Sequence, residues 1–126
     1  MKQISIGKFP LGHELVELFV MPDATDGEFY FCPDEKSIGQ IAVGLNFKLW
    51  DECVSVLLHE SFEYCADRMR LRFSHTGAIS RSIDDIFIFM DHSQFCECCC
   101  RVSMFMVEAL PVLSRHYKKY RIKNAC

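Results

Sequence analysis

Val54-Ser55-Val56-Leu57-Leu58-His59-Glu60-Ser61-Phe62-Glu63-Tyr64-Cys65-Ala66 is the stretch on which the reading of the chain turns. Its apolar residues recur at helical spacing, and little of it is expected to face water, so it reads as a largely buried helix. Residues four apart on a helix lie almost above one another, so His59 and Glu63 share a face, with Glu60 turned about 100° away. An imidazole and a carboxylate so placed form a two-armed metal clamp, and the second carboxylate is free to act as a base. A solvated His–Glu ion pair is the plain alternative. Buried ionisable groups, however, are costly unless paired or bound to metal.

Asn46 is the expected N-cap, and the helix is expected over Phe47–Arg72. Before it, residues 1–45 form a β-rich segment. Ile4 and Ile6 alternate with polar residues until Pro10 and Gly12, and Leu15 to Val20 reads as a strand closed by Pro22-Asp23. Asp23 to Gly27 is a turn, and Glu28 to Cys32 is its return strand. Gln40 to Leu45 gives a further short strand. His13-Glu14-Leu15-Val16-Glu17 repeats the lettering HExxE, but it enters a strand, where residues four apart stand ~13 Å from each other.

After the HE-motif helix, assigned to 46–73, Ser74 to Asp85 reads as a loop. The segment 86–118 then holds a strand and a second helix. Ile86-Phe87-Ile88-Phe89-Met90 suits a buried strand. Asp91 and Gln94 make a capping box for a helix reaching about His116. Its outer stripe is expected to be Glu97, Arg101, Glu108 and Arg115. Its inner face would take Phe95, Cys96, Cys99, Val102, Met106, Leu110 and Leu113, with a kink at Pro111. The whole predicts a single α+β domain over 1–126, a small antiparallel sheet packed on two long helices.

A chain of 126 residues that is half hydrophobic and a quarter charged is long enough for a real core. A net charge of -3 gives no sign of a nucleic-acid partner. The opening Met1-Lys2-Gln3-Ile4-Ser5 lacks signal-peptide character, and no apolar run approaches the ~20 residues of a membrane span. Of eight cysteines, Cys96, Cys98, Cys99 and Cys100 crowd one helix, where neighbouring side chains diverge too far for ordinary bridges. Reduced thiols, mostly core-packed, in a cytoplasmic protein are the expectation.

Catalytic zinc sites commonly use three protein ligands and leave one position for water. His59 and Glu63 supply two, and His92, opening the second helix, is the favoured third. Glu60 is then the candidate base. His75 is a rival third ligand, and Cys96 with Cys100, four apart, a rival soft pair.

Ile41-Ala42-Val43-Gly44 leading to Leu57-Leu58-His59-Glu60-Ser61-Phe62-Glu63, followed by His92-Ser93-Gln94-Phe95, resembles small phage and prophage proteins with an HExxH or HExxE helix. Those look like minimal zincin-type metallopeptidase cores, and the likeness covers residues 38–113. Here Glu63 stands where HExxH has its second histidine. The resemblance implies one zinc ion and a metal-dependent hydrolase or peptidase acting on a peptide. The competing expectation is a phage-type inhibitor that binds a host protein and keeps the HE helix as a structural clip.

Overall fold

The structure, a computed structural model, describes residues 2–30, 38–73 and 87–125. Strands β1 (Ile4–Leu11), β2 (Glu14–Met21), β3 (Gly27–Tyr30) and β4 (Gly39–Gly44) precede helix α1 (Trp50–Arg68). A two-stranded ribbon of β5 (Arg72–Phe73) and β6 (Phe87–Ile88) then leads to helix α2 (His92–Lys123). The architecture is α+β, as the sequence predicts.

The sheet is mixed rather than antiparallel. Its order is β1-β2-β4-β3, with β1 antiparallel to β2, β4 parallel to β2, and β3 antiparallel to β4. The expected return strand therefore does not pair with β2, because β4 is inserted between them. Burial accounts for this. Ile41, Ala42 and Val43 of β4 are at most 2% exposed, so this strand gains most from a central place, whereas Gly27-Glu28-Phe29-Tyr30 tolerates an edge. The β2–β3 turn is wide enough to span the gap and wraps the end of β4. Gly44 N–H donates to Asp26 O, Leu45 N–H to Met21 O and Asn46 N–H to Ala24 O.

Those last bonds explain why Asn46 is not the N-cap of α1: it is tied to the turn. The helix begins at Trp50, where the Glu52 carboxylate accepts from the Leu49 N–H at 3.0 Å. It ends short of the expected Arg72 because Arg70 adopts a left-handed φ of 59° and Leu71 N–H reaches back to Ala66 O.

Asp91 and Gln94 do form the reciprocal capping box, both bonds at 2.9 Å. Helix α2 continues beyond His116 to Lys123, with Pro111 inside it. Tyr117 holds this extension. Its ring packs on Trp50 at 5.4 Å, and its hydroxyl donates to Phe47 O at 3.0 Å.

One face of the sheet, carrying Phe9, Leu11, Val16, Leu18, Val20, Ile41 and Val43, forms the main core with both helices. The α2 residues that enter it are Cys98, Val102, Phe105, Ala109, Leu113 and Tyr117. This corrects the expected inner face, since Phe95 and Cys96 are exposed and Cys99 only half-buried. The run at β6 is not a buried strand either: Ile88 is 36% and Phe89 61% exposed. Ile86 lies outside the described residues.

Candidate metal centre and the groove beside it

Helices α1 and α2 run antiparallel, Trp50 at the start of α1 meeting Tyr117 near the end of α2. Their outward sides diverge into a groove of about 840 Å³. Its apolar lining includes Leu58 and Phe62 of α1, Ile88 of β6, and Phe95, Val102, Met106 and Leu110 of α2. The last four, with Cys99, account for most of the face that the sequence assigns to the core. They recur at spacings of three and four because α2 carries two adjoining apolar stripes, one on the sheet and one on the groove. The groove also corrects the expectation that little of α1 meets solvent, since Leu58 is 46% exposed and Ser55 and His59 lie open.

Ser55, His59 and Glu63 line the α1 side of this groove, four residues apart. His59 Nε2 lies 3.4 Å from Glu63 Oε2 and 3.9 Å from Glu60 Oε1. One ligand atom from each of His59, Glu60 and Glu63 falls within 4.8 Å of the others. The three differ in burial: the His59 side chain is 63% exposed, Glu63 19% and Glu60 9%.

Glu60 projects beneath the edge strand β3. Gly27 makes room for it, since a Cβ there would stand 2.7 Å from Glu60 Cγ. Loss of water raises the Glu60 carboxyl to about 7; His59 opposes the shift, while Glu63, Glu28 and Asp26 add to it. Negative charge is thus concentrated around a single imidazole.

The favoured third ligand is not in this group. His92 is exposed at the first turn of α2, its ring 3.8 Å from Cys96 Sγ. The atoms that gather around His59 are those of Glu60 and Glu63, and His92 does not join them. His75 lies outside the described residues. Cys96 and Cys100 are exposed, and among the described residues no third His, Cys, Asp or Glu converges on them. The cysteines described are all free, but of the expected core-packed cluster only Cys98 is fully buried.

The lettering His13-Glu14 through Glu17 is indeed strand, from Glu14 onward. Glu14 has another partner that the sequence gives no sign of. It accepts a short hydrogen bond from the Tyr64 hydroxyl and pairs with Arg68 Nε at 3.2 Å, tying β2 to the last turns of α1.

Zinc held tetrahedrally by ligand atoms at about 2.1 Å separates those atoms by ~3.4 Å. The His59–Glu63 distance of 3.4 Å matches this separation, and Glu60 lies 3.9 Å from His59. One nitrogen and two carboxylate oxygens are donors that zinc accepts. No helix among the described residues is long and apolar enough to cross a membrane. Comparisons with protein-family models, with curated proteins and with solved structures find no match.

Proposed function

We propose that this is a small metal-binding protein in which His59, Glu60 and Glu63 hold one zinc ion at the margin of the interhelical groove, and that the site serves hydrolysis of a peptide laid there. The observation that carries this reading is the convergence of one imidazole and two carboxylates within 4.8 Å. Their unequal burial supports it: Glu60 anchors the site from the protein side, while His59 faces the groove from solvent. A bound zinc ion would supply Lewis acidity and make water acidic enough to ionise near neutral pH. His59 would present Nε2 as the neutral nitrogen donor, with the Glu63 carboxylate as the neighbouring oxygen donor 3.4 Å away. Apolar side chains of a peptide would fill the space between Phe62, Val102 and Met106, excluding water around the scissile bond. Glu60 fills the third ligand place here, a change from the base role that its position after His59 suggests.

Zinc titration of chelator-treated protein tests the site. His59→Ala and Glu63→Ala should each weaken binding at least tenfold and lose the thermal stabilisation that bound metal adds. His92→Ala should leave binding within about twofold. Glu60→Gln distinguishes ligand from base: lost affinity fits the ligand, whereas retained metal with abolished peptide hydrolysis restores the base. If wild-type protein purified without added metal carries no zinc and binds none on titration, the reading fails.

The groove itself favours a second reading, an interaction protein that docks an apolar segment of a host protein, as in the phage-type inhibitor alternative. The His–Glu group would then be a structural clip. In that case metal removal changes stability but leaves partner binding intact.

A further inference from the structure

Helix α2 turns a further face outward, beside the groove. Cys96, Cys100, Ser103, Val107, Leu110 and Ser114 recur at alternating spacings of four and three, the repeat that keeps one seam of a helix against a partner helix. Cys96, Cys100 and Ser103 are exposed, Leu110 and Ser114 half-buried, and Val107 is 73% exposed. Met104, 49% exposed, borders the seam. The charged residues of this part of α2, Glu97, Arg101, Glu108 and Arg115, all lie about 100° or more around the helix from it. A helix that only had to cover the sheet would carry polar and charged residues here instead.

The seam is complementary to itself. When a second α2 is turned end for end about an axis at the level of Phe105, Ser103 meets the partner's Val107, and Cys100 meets the partner's Leu110. Cys96 then meets the partner's Ser114. The two inner layers each set a small side chain against a larger one, and the outer layer is small on both sides, so the helices can approach closely. The same rotation brings opposite charges level along the flank. Arg101 stands beside the partner's Glu108, and Glu97 within two residues of the partner's Arg115, whereas a parallel copy in register would set each charge beside its own kind. At 1.5 Å per residue the seam is ~27 Å long, and the facing half of a helix ~10–12 Å across presents about 450 Å² per copy. Leu58 and Phe95, exposed on the adjoining groove walls, extend the contact to roughly the 1,000 Å² in total that a specific interface needs.

We propose that this face of α2 is the interface of a two-fold symmetric dimer, in which the α2 helices of two copies pack antiparallel along the seam. An area at the low end of the specific range makes the association reversible and dependent on concentration. Ser103, Val107 and Leu110 also line the groove, so the partner helix runs along its α2 margin. No metal at His59 and Glu63 is required.

The test is sedimentation of the full-length reduced protein, with chelator present, from ~5 to ~300 µM. The mass should rise from that of the 14.6 kDa chain towards twice that value and go no further. Val107→Glu places a charge in both central layers and should keep the protein monomeric throughout. Because Val107 is exposed in the single chain, this variant's thermal midpoint at low concentration should stay within ~2 °C of the original. Leu15→Glu, an equal change at a 53% exposed position on the sheet, should leave the dimer intact. Ser114→Cys reads the register: a short reagent that bridges two thiols should join position 114 of one copy to the partner's Cys96. A chain that stays monomeric to the highest concentration would overturn the proposal, as would self-association that survives Val107→Glu. Cross-links joining position 114 to itself would mean a parallel pair and would overturn it too.

Discussion

Glu60 shows what a single side chain can reveal about the ground state of the site. Its carboxyl is raised to about 7 in the folded chain, against an ordinary value of 4.5. Between those values the folded chain binds the proton more tightly than the unfolded chain. The favourable contribution is therefore complete below about pH 4.5 and is lost as pH rises through about 7, by on the order of 3 kcal/mol at most. In metal-free protein, Glu60→Gln should raise the thermal midpoint at pH 8 by several degrees and leave it nearly unchanged at pH 4.5. An equal effect at both pH values would mean that the group is not the source of the pH dependence. Much at this scale was legible: the i,i+4 spacing alone pairs His59 with Glu63. The inclusion of Glu60 was not, because an angular wheel ignores the reach of a three-carbon side chain. His92 sits at a helix mouth, but its distance from His59 depends on how two helices slide past each other, which spacing within one helix does not encode.

Among the elements, the caps divide instructively. Asp91 and Gln94 form a local box that needs no tertiary partner, so the sequence announces it. Asn46 has equally good capping chemistry but spends its backbone on Ala24, and the start of α1 shifts to Trp50. The end of α1 depends on Arg70 at a φ of 59°, a conformation that glycine adopts without Cβ strain. Arg70→Gly should stabilise the protein by about 0.5–1 kcal/mol, read from the denaturant midpoint at unchanged slope. A loss of stability would show that the Arg70 side chain contributes more than its backbone costs. The rotation of α2 was hidden for a different reason. With apolar residues on two adjoining stripes, periodicity identifies a helix but cannot decide which stripe meets the sheet, and Phe105 and Ala109 settle that only once β1 is in place.

For the molecule as a whole, first and last elements share one core: α2 packs on β1, and Phe105 meets Phe9 edge-on at 6.2 Å. Leu113 and Tyr117 lie in the same cluster. A chain ended after Leu110 should lose both and, with them, its cooperative thermal transition followed by far-ultraviolet circular dichroism, since each buried side chain removed costs roughly 2–5 kcal/mol against a small total. Persistence of a sharp transition would show that the α2 extension is an appendage. Fold class was legible at this scale because a strand-rich first third and two long periodic helices leave few architectures. Strand order was not, since a short turn between β2 and β3 normally implies that they pair.

The place of β4 also sets an order of events as the chain leaves the ribosome. The β1–β2 hairpin can close as soon as it emerges, but β3 appears before the strand that belongs beside it. Until β4 arrives, β2 keeps an open edge along Val16, Leu18 and Val20, and β3 has nowhere to dock. That edge is a template for pairing with another nascent chain, so the interval between synthesis of β2 and β4 is when aggregation competes most strongly with folding.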